Sequence, residues 1–218
     1  MIQWPAAASF AENLDTNISY WTIHGLWPSR IKTPETYPCT CTADEFDPRQ
    51  VLTLENDLNT FWPSVSGPNP LFWKHEWEKH GTCATRYLKT QLIYFSTTLR
   101  LYYSLKIDKV FKNFEPSNSH PFSYEVLSQA ITKKYNKKAI LRCSKNHRLA
   151  YQYLQEIIFC FALSSFPRQF SCPESILNSP FTSTCNKNEP ILIIPPHREG
   201  ATSQTTKNII EHTNVFDV

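Results

Sequence analysis

The stretch Phe72-Trp73-Lys74-His75-Glu76-Trp77-Glu78-Lys79-His80-Gly81-Thr82-Cys83 gathers two imidazoles, two carboxylates and two ammonium groups into a dozen residues. A second stretch, Trp21-Thr22-Ile23-His24-Gly25-Leu26-Trp27-Pro28, adds a further imidazole. Histidines on separate elements, with a carboxylate and a lysine nearby, are what metal-free cleavage of RNA requires. A neutral imidazole takes the proton from a 2′-hydroxyl as it attacks phosphorus, and a protonated one donates to the departing 5′-oxygen. Lysine and a further histidine stabilise negative charge growing on the phosphoryl oxygens. Groups so costly to desolvate, and so able to perturb one another's ionisation, are seldom crowded together for structural reasons.

The competing chemistry is zinc hydrolysis, because His75-Glu76 begins like the metalloprotease motif His-Glu-x-x-His. Here the second histidine is five residues on, at His80. On a continuous helix that turns it about 140° from His75, where a four-residue spacing would leave about 40°. The two imidazoles are therefore expected to diverge, and no metal or other cofactor is expected.

The elements that must position these groups follow from local sequence. Between Pro70 and Gly81 nothing breaks a helix, so His75, Glu76, Lys79 and His80 are expected on one face, within an arc of about 140°. Trp73 and Trp77 flank that arc as packed support, and Glu78 lies off it as a solvated residue. Ser19 to His24 reads as a strand of β-formers stopped by Gly25 and Pro28, leaving His24 at its end. Trp27, where the strand leaves for a loop, is the candidate for base stacking.

Asp47-Pro48 caps a helix carrying Val51, Leu54, Leu58 and Phe61, which Trp62-Pro63 ends. A longer helix over 89–106 places Leu92, Phe95, Leu99, Tyr102 and Tyr103 inward. Ser123 caps another, with Val126, Leu127, Ala130, Ile131 and Tyr135 inward and Lys133, Lys134, Lys137 and Lys138 as its solvated end. Residues 139–143, 149–163 and 190–194 read as strands. Helices early and strands late, without alternation, predict an α+β fold with a largely antiparallel sheet.

With 218 residues and no linker-like composition, the chain reads as a single domain over 1–196, followed by a flexible polar tail over 197–218. A formal net charge of only +3 means that a polyanion must be held by a local patch, not by the field of the whole molecule. No apolar run is long enough to span a membrane, and no membrane partner is expected. The seven cysteines lack the paired Cys-x-x-Cys spacing of a zinc site and predict disulfides in an oxidising compartment, with one thiol left over. Asn17-Ile18-Ser19 is a glycosylation acceptor in form. The chain enters a strand-like segment at Met1, so a signal peptide is absent from this sequence. His120, His147, His197 and His212 match no motif and read as surface residues.

At its two histidine motifs the chain resembles the ribonuclease T2 family of transferase-type acid endoribonucleases, including the whole of Phe72 to Cys83. The likeness extends more weakly through the cysteines to Ile194 and is closest to the animal lysosomal and secreted members. It implies an α+β fold and cleavage of single-stranded RNA through a 2′,3′-cyclic phosphate; DNA, which has no 2′-hydroxyl to attack, is expected to resist, and a monomer is expected. Carried over residue by residue, His24 resembles the general acid and His80 the general base. His75 resembles the phosphate-binding histidine, and Glu76 and Lys79 the pair supporting the pentacovalent transition state; Trp27 stands on the substrate side. The family's cysteines imply Cys143 with Cys185, Cys160 with Cys172, and Cys83 with either Cys39 or Cys41. Family members usually carry a strand before the Gln-Trp-Pro segment and an early cysteine pair after it; here that strand is missing, and 9–17 contains no cysteine. The rival readings are a secreted binding or signalling protein without catalysis on the same fold, and a phosphodiesterase of small nucleotides. Base preference stays open.

Overall fold

A computed structural model describes residues 1–12, 17–29, 41–145 and 151–196. The expected tail over 197–218, Cys39, and the histidines at 147, 197 and 212 lie outside the described residues. The architecture is α+β, as expected. In chain order it contains β1 (Ile2–Gln3), α1 (Pro5–Glu12), β2 (Thr22–Ile23), α2 (Glu55–Phe61), α3 (Asn69–Lys79), α4 (Gln91–Leu105) and α5 (Asp108–Phe111). Then follow α6 (Tyr124–Tyr135), β3 (Ile140–Lys145), β4 (Gln152–Ile158), β5 (Cys160–Ala162), β6 (Arg168–Phe170), α7 (Glu174–Leu177) and β7 (Ile191–Leu192).

The main sheet runs β2-β1-β4-β3, with β7 pairing parallel to β4 and the other pairs antiparallel. Its register places the site. Gln3 lies opposite both Thr22 and Glu156, and Glu156 lies opposite Arg142. Directly opposed residues share a face, so Thr22, Gln3, Glu156 and Arg142 form one polar row. Ile23, Ile2, Ile157 and Leu141 form the apolar row behind it and are buried.

Against that apolar side pack the helices. α4 buries Tyr94, Phe95, Leu99, Tyr102 and Leu105, and α6 buries Leu127 and Ile131. Three inward expectations fail. Leu92 and Val126, in the first turns of α4 and α6, are 40% and 48% exposed. Tyr103, turned about 100° from the buried Tyr102, is 43% exposed and lies edge-on to Phe61. The segment after Asp47 also differs from expectation: residues 48–54 form a 3-10 helix, and the α-helix starts only at Glu55. Asp47 caps it as expected, its side chain accepting from Arg49 N at 3.0 Å.

Three disulfides tie the described residues together: Cys41–Cys83, Cys143–Cys185 and Cys160–Cys172. Where the sequence left Cys39 and Cys41 as alternatives for Cys83, the bond is made by Cys41, and Cys39 is not its partner.

Candidate active site

Pro68 in an extended conformation and Pro70 in the first turn start α3, which ends at Lys79. His80 is its C-cap, with φ −120° and ψ −46°, and its N–H still donates to Glu76 O at 3.1 Å. Because His80 has left the helix, the 140° divergence expected of it does not occur. The ligand-capable atoms of His75, Glu76 and His80 lie within 4.8 Å of one another, and the two imidazole centroids are 6.3 Å apart. The three side chains could together hold a metal ion, so the geometric objection drawn from helix spacing falls. The shared face is also divided by depth: Glu76 and His80 are buried, while His75 and Lys79 are exposed.

What holds this helix end is aromatic. Trp73 donates its indole N–H to Trp62 O at 2.8 Å and Trp77 to Asp44 O at 3.1 Å, both rings being buried supports as expected. Gly81 permits the turn that follows, since a Cβ there would lie 2.4 Å from the Trp77 ring. Two residues on, the Cys41–Cys83 disulfide fastens the turn to the preceding loop. Glu78, expected to be merely solvated, accepts from Phe46 N at 3.2 Å and pairs with Lys74 at 3.7 Å, steadying the same loop.

The first motif is held through its backbone. Tyr102 Oη donates to Trp21 O at 2.6 Å, Trp62 Nε1 to His24 O at 2.8 Å and Tyr94 Oη to Leu26 O at 2.8 Å. Only Thr22 and Ile23 of the expected strand pair, and His24 stands just past them, its N–H donating to Met1 O at 3.0 Å. Gly25 then lets the chain pass α3 at close range: a Cβ there would lie 2.1 Å from Glu76 Oε2 and 2.2 Å from Trp27 Nε1.

Trp27 joins the two motifs. Its ring stacks on His80 at 4.6 Å and 22° and meets His24 edge-on at 5.0 Å. Its N–H donates to Glu76 Oε2 at 2.8 Å. The expected base-stacking residue thus lies between the two imidazoles, with one face turned to His80. His24 Nδ1 pairs with Glu156 Oε1, whose carboxylate also takes Arg142 Nη1 at 3.1 Å.

The electrostatics differ across this small space. Burial pushes the His80 imidazole down to about 3, with the Lys79 charge adding to the effect. Its Nδ1 is buried and has no hydrogen-bond partner among the described residues. His75 is lowered as well, by burial and then by Lys79. Burial raises the Glu76 carboxyl to about 7, against the opposing pull of His24 and the Trp27 hydrogen bond. At Glu156 burial also works upward, but the hydrogen bond and charge of His24, with Arg142, outweigh it and hold the carboxyl below its ordinary range.

Reasoning from sequence missed Glu156, Arg142 and Gln3. The available signal was a carboxylate inside the apolar run Tyr153 to Phe159, since a charge in a buried strand needs a partner. Gln3 Nε2 is likewise buried in the polar row without a hydrogen-bond partner among the described residues.

Fold and site together define a disulfide-stapled α+β protein with two imidazoles from separate elements meeting across one indole. The family model for the ribonuclease T2 family matches residues 1–172, and the chain belongs to that family. It is 37% identical over 127 residues to ribonuclease DdI of Dictyostelium discoideum, covering 57% of this chain and 56% of that protein. It is 30% identical over 206 residues to ribonuclease Oy of Magallana gigas, covering 89% and 94%. A crystal structure of an RNase MC1 mutant in complex with 5′-GMP superposes with a TM-score of 0.73 at 27% identity, over 85% of this chain and 94% of that one. In the Dictyostelium discoideum match and in that to ribonuclease T2 of Danio rerio, the chain covers only 56% and 58% of the relative's length.

Proposed function

We propose that this protein is an endoribonuclease that cuts single-stranded RNA by attack of the 2′-hydroxyl, leaving a 2′,3′-cyclic phosphate. The observation that carries this reading is the contrast between its two imidazoles. His80, driven toward the neutral form by burial, suits the base that takes the 2′-hydroxyl proton. His24, facing an ionised carboxylate, suits the acid that delivers a proton to the 5′-oxygen. His75 and Lys79, exposed at the same helix end, can neutralise the phosphoryl oxygens, and Glu76 braces the transition state beside His80.

DNA, which lacks the internal nucleophile, is not a substrate of this mechanism. No step needs a metal, although His75, Glu76 and His80 could bind one. Among the described residues no helix is long and apolar enough to cross a membrane. Three disulfides and an exposed Asn17 in an Asn-Ile-Ser sequence support a secreted or lysosomal glycoprotein. No observation favours the non-catalytic binding reading. The test is incubation with an RNA oligonucleotide and its DNA counterpart at pH 5 and pH 7, with chelator present. Cyclic-phosphate ends from RNA alone are expected; their absence, or activity that returns only with zinc, overturns the reading.

A further inference from the structure

His24 stands two residues past Thr22, the end of the sheet's polar row, and the carboxylate it meets belongs to that row. Glu156 is 5% exposed and sits in β4 between the core residues Leu154 and Ile157. A lone carboxylate in such a position is strongly disfavoured, so its charge must be held by partners. Among the described residues two groups bond it, one on each oxygen: His24 Nδ1 on Oε1, and Arg142 Nη1 on Oε2 at 3.1 Å. Arg142 is its direct cross-strand neighbour on β3, where the register shifts immediately afterwards, between Arg142 and Cys143. The guanidinium thus fixes the carboxylate from behind, and the carboxylate fixes the imidazole in front.

We propose that Glu156, braced by Arg142, is a positioning residue that acts through His24 in RNA cleavage. An ionised carboxylate can only accept, so His24 Nδ1 must carry the proton of that contact. This leaves Nε2 as the ring nitrogen free to exchange a proton with the reacting atoms. In the neutral ring Nε2 is bare; in the charged ring it bears the proton that passes to the leaving 5′-oxygen as the P–O bond breaks. Glu156 thereby selects the tautomer and sets the ring orientation, while touching neither substrate nor phosphorus.

The proposal rests on the acid role given to His24, and two substrates separate the two claims. One is a dinucleotide, whose 5′-alkoxide leaving group needs a proton. The other is a nucleoside 3′-(4-nitrophenyl phosphate), whose leaving group departs without one. His24→Ala is expected to slow the dinucleotide by about 10³-fold and to spare the nitrophenyl ester largely. Glu156→Gln, with its fold checked by thermal melting, is expected to follow the same pattern at about ten- to a hundredfold on the dinucleotide. In the double variant the Glu156 change should add nothing, because its route runs through a ring that is gone.

Equal slowing of both substrates by Glu156→Gln, when His24→Ala discriminates between them, overturns the proposal. So does full additivity in the double variant, or wild-type turnover of the dinucleotide by Glu156→Gln. If His24→Ala slows both substrates alike, the acid role falls, and non-additivity alone decides whether Glu156 works through His24. Should Glu156→Gln fail to fold because it strands Arg142, the paired change Glu156→Gln with Arg142→Met removes the stranded cation and is read in the same way.

Discussion

His24 is held by a charge and pinned through its backbone, with its side chain 28% exposed, while His80 is buried under an indole and, among the described residues, its Nδ1 has no hydrogen-bond partner. The first motif reaches its place through three aromatic donors that grip the carbonyls of Trp21, His24 and Leu26. The second reaches its place through a helix that ends one residue early and a disulfide just beyond it. One arrangement sets a carboxylate against the ring, and the other, by burial, holds the ring neutral. Surroundings and not residue type separate the two rings, which under the proposed mechanism suits them to opposite work.

The strongest way to break this comparison is to remove each ring. Alanine at His24 or at His80 should lower kcat/KM for RNA by about 10²- to 10⁴-fold. The two should part in stability: His80→Ala empties a buried site beneath Trp27 and lowers the melting temperature further than His24→Ala, which removes one partner of the buried Glu156 carboxylate but leaves Arg142 on it. Equal melting temperatures would show that burial does not distinguish the two sites.

Unfastening the second motif comes next. Replacing both Cys41 and Cys83 by serine should cost about 2–5 kcal/mol in denaturant unfolding, and activity should fall with the loosened His80 turn.

The pH dependence of stability sharpens the contrast further. Glu76 has its carboxyl raised from 4.5 to about 7, so as pH climbs between those values the unfolded chain ionises while the folded one does not. Stability from this group is therefore fully present below pH 4.5 and lost by about pH 7. The loss amounts to about 3 kcal/mol at most, and Glu76→Gln should abolish it in denaturant titrations across that range. His80, lowered from 6.5 to about 3, works in the opposite direction: its contribution is present above pH 6.5 and lost as pH falls toward 3. The smallest effect belongs to the backbone grip. Tyr94→Phe leaves the carbonyl of Leu26 without its donor and should cost about 1 kcal/mol in thermal unfolding, with a modest fall in turnover.

The sequence carried the helix of the second motif clearly, because Pro70 and Gly81 bracket it and nothing between them competes with helix. It could not show that His80 steps out of the helix, since one residue in a non-helical conformation undoes rotation arithmetic for everything beyond it. Glu156 was hidden for a different reason. Its partners are 132 and 14 residues away in sequence; β1, pairing with both β2 and β4, brings His24 to it, and the β3–β4 pairing brings Arg142. Leu92 and Val126 misled because periodicity marks a face along a helix, while its first turn can extend past the core it packs against. Local chemistry was legible; the register that combines it was not.

Gly25 gives the joining of the two motifs a measurable clearance. With a methyl group there 2.1 Å from the Glu76 carboxylate and 2.2 Å from the Trp27 nitrogen, the strand end and the helix could not keep their present separation. The smallest possible side chain would act as a spacer, moving the His80 helix end from His24 while leaving both rings chemically untouched. A position with no side chain therefore sets the dimension on which the two histidines depend.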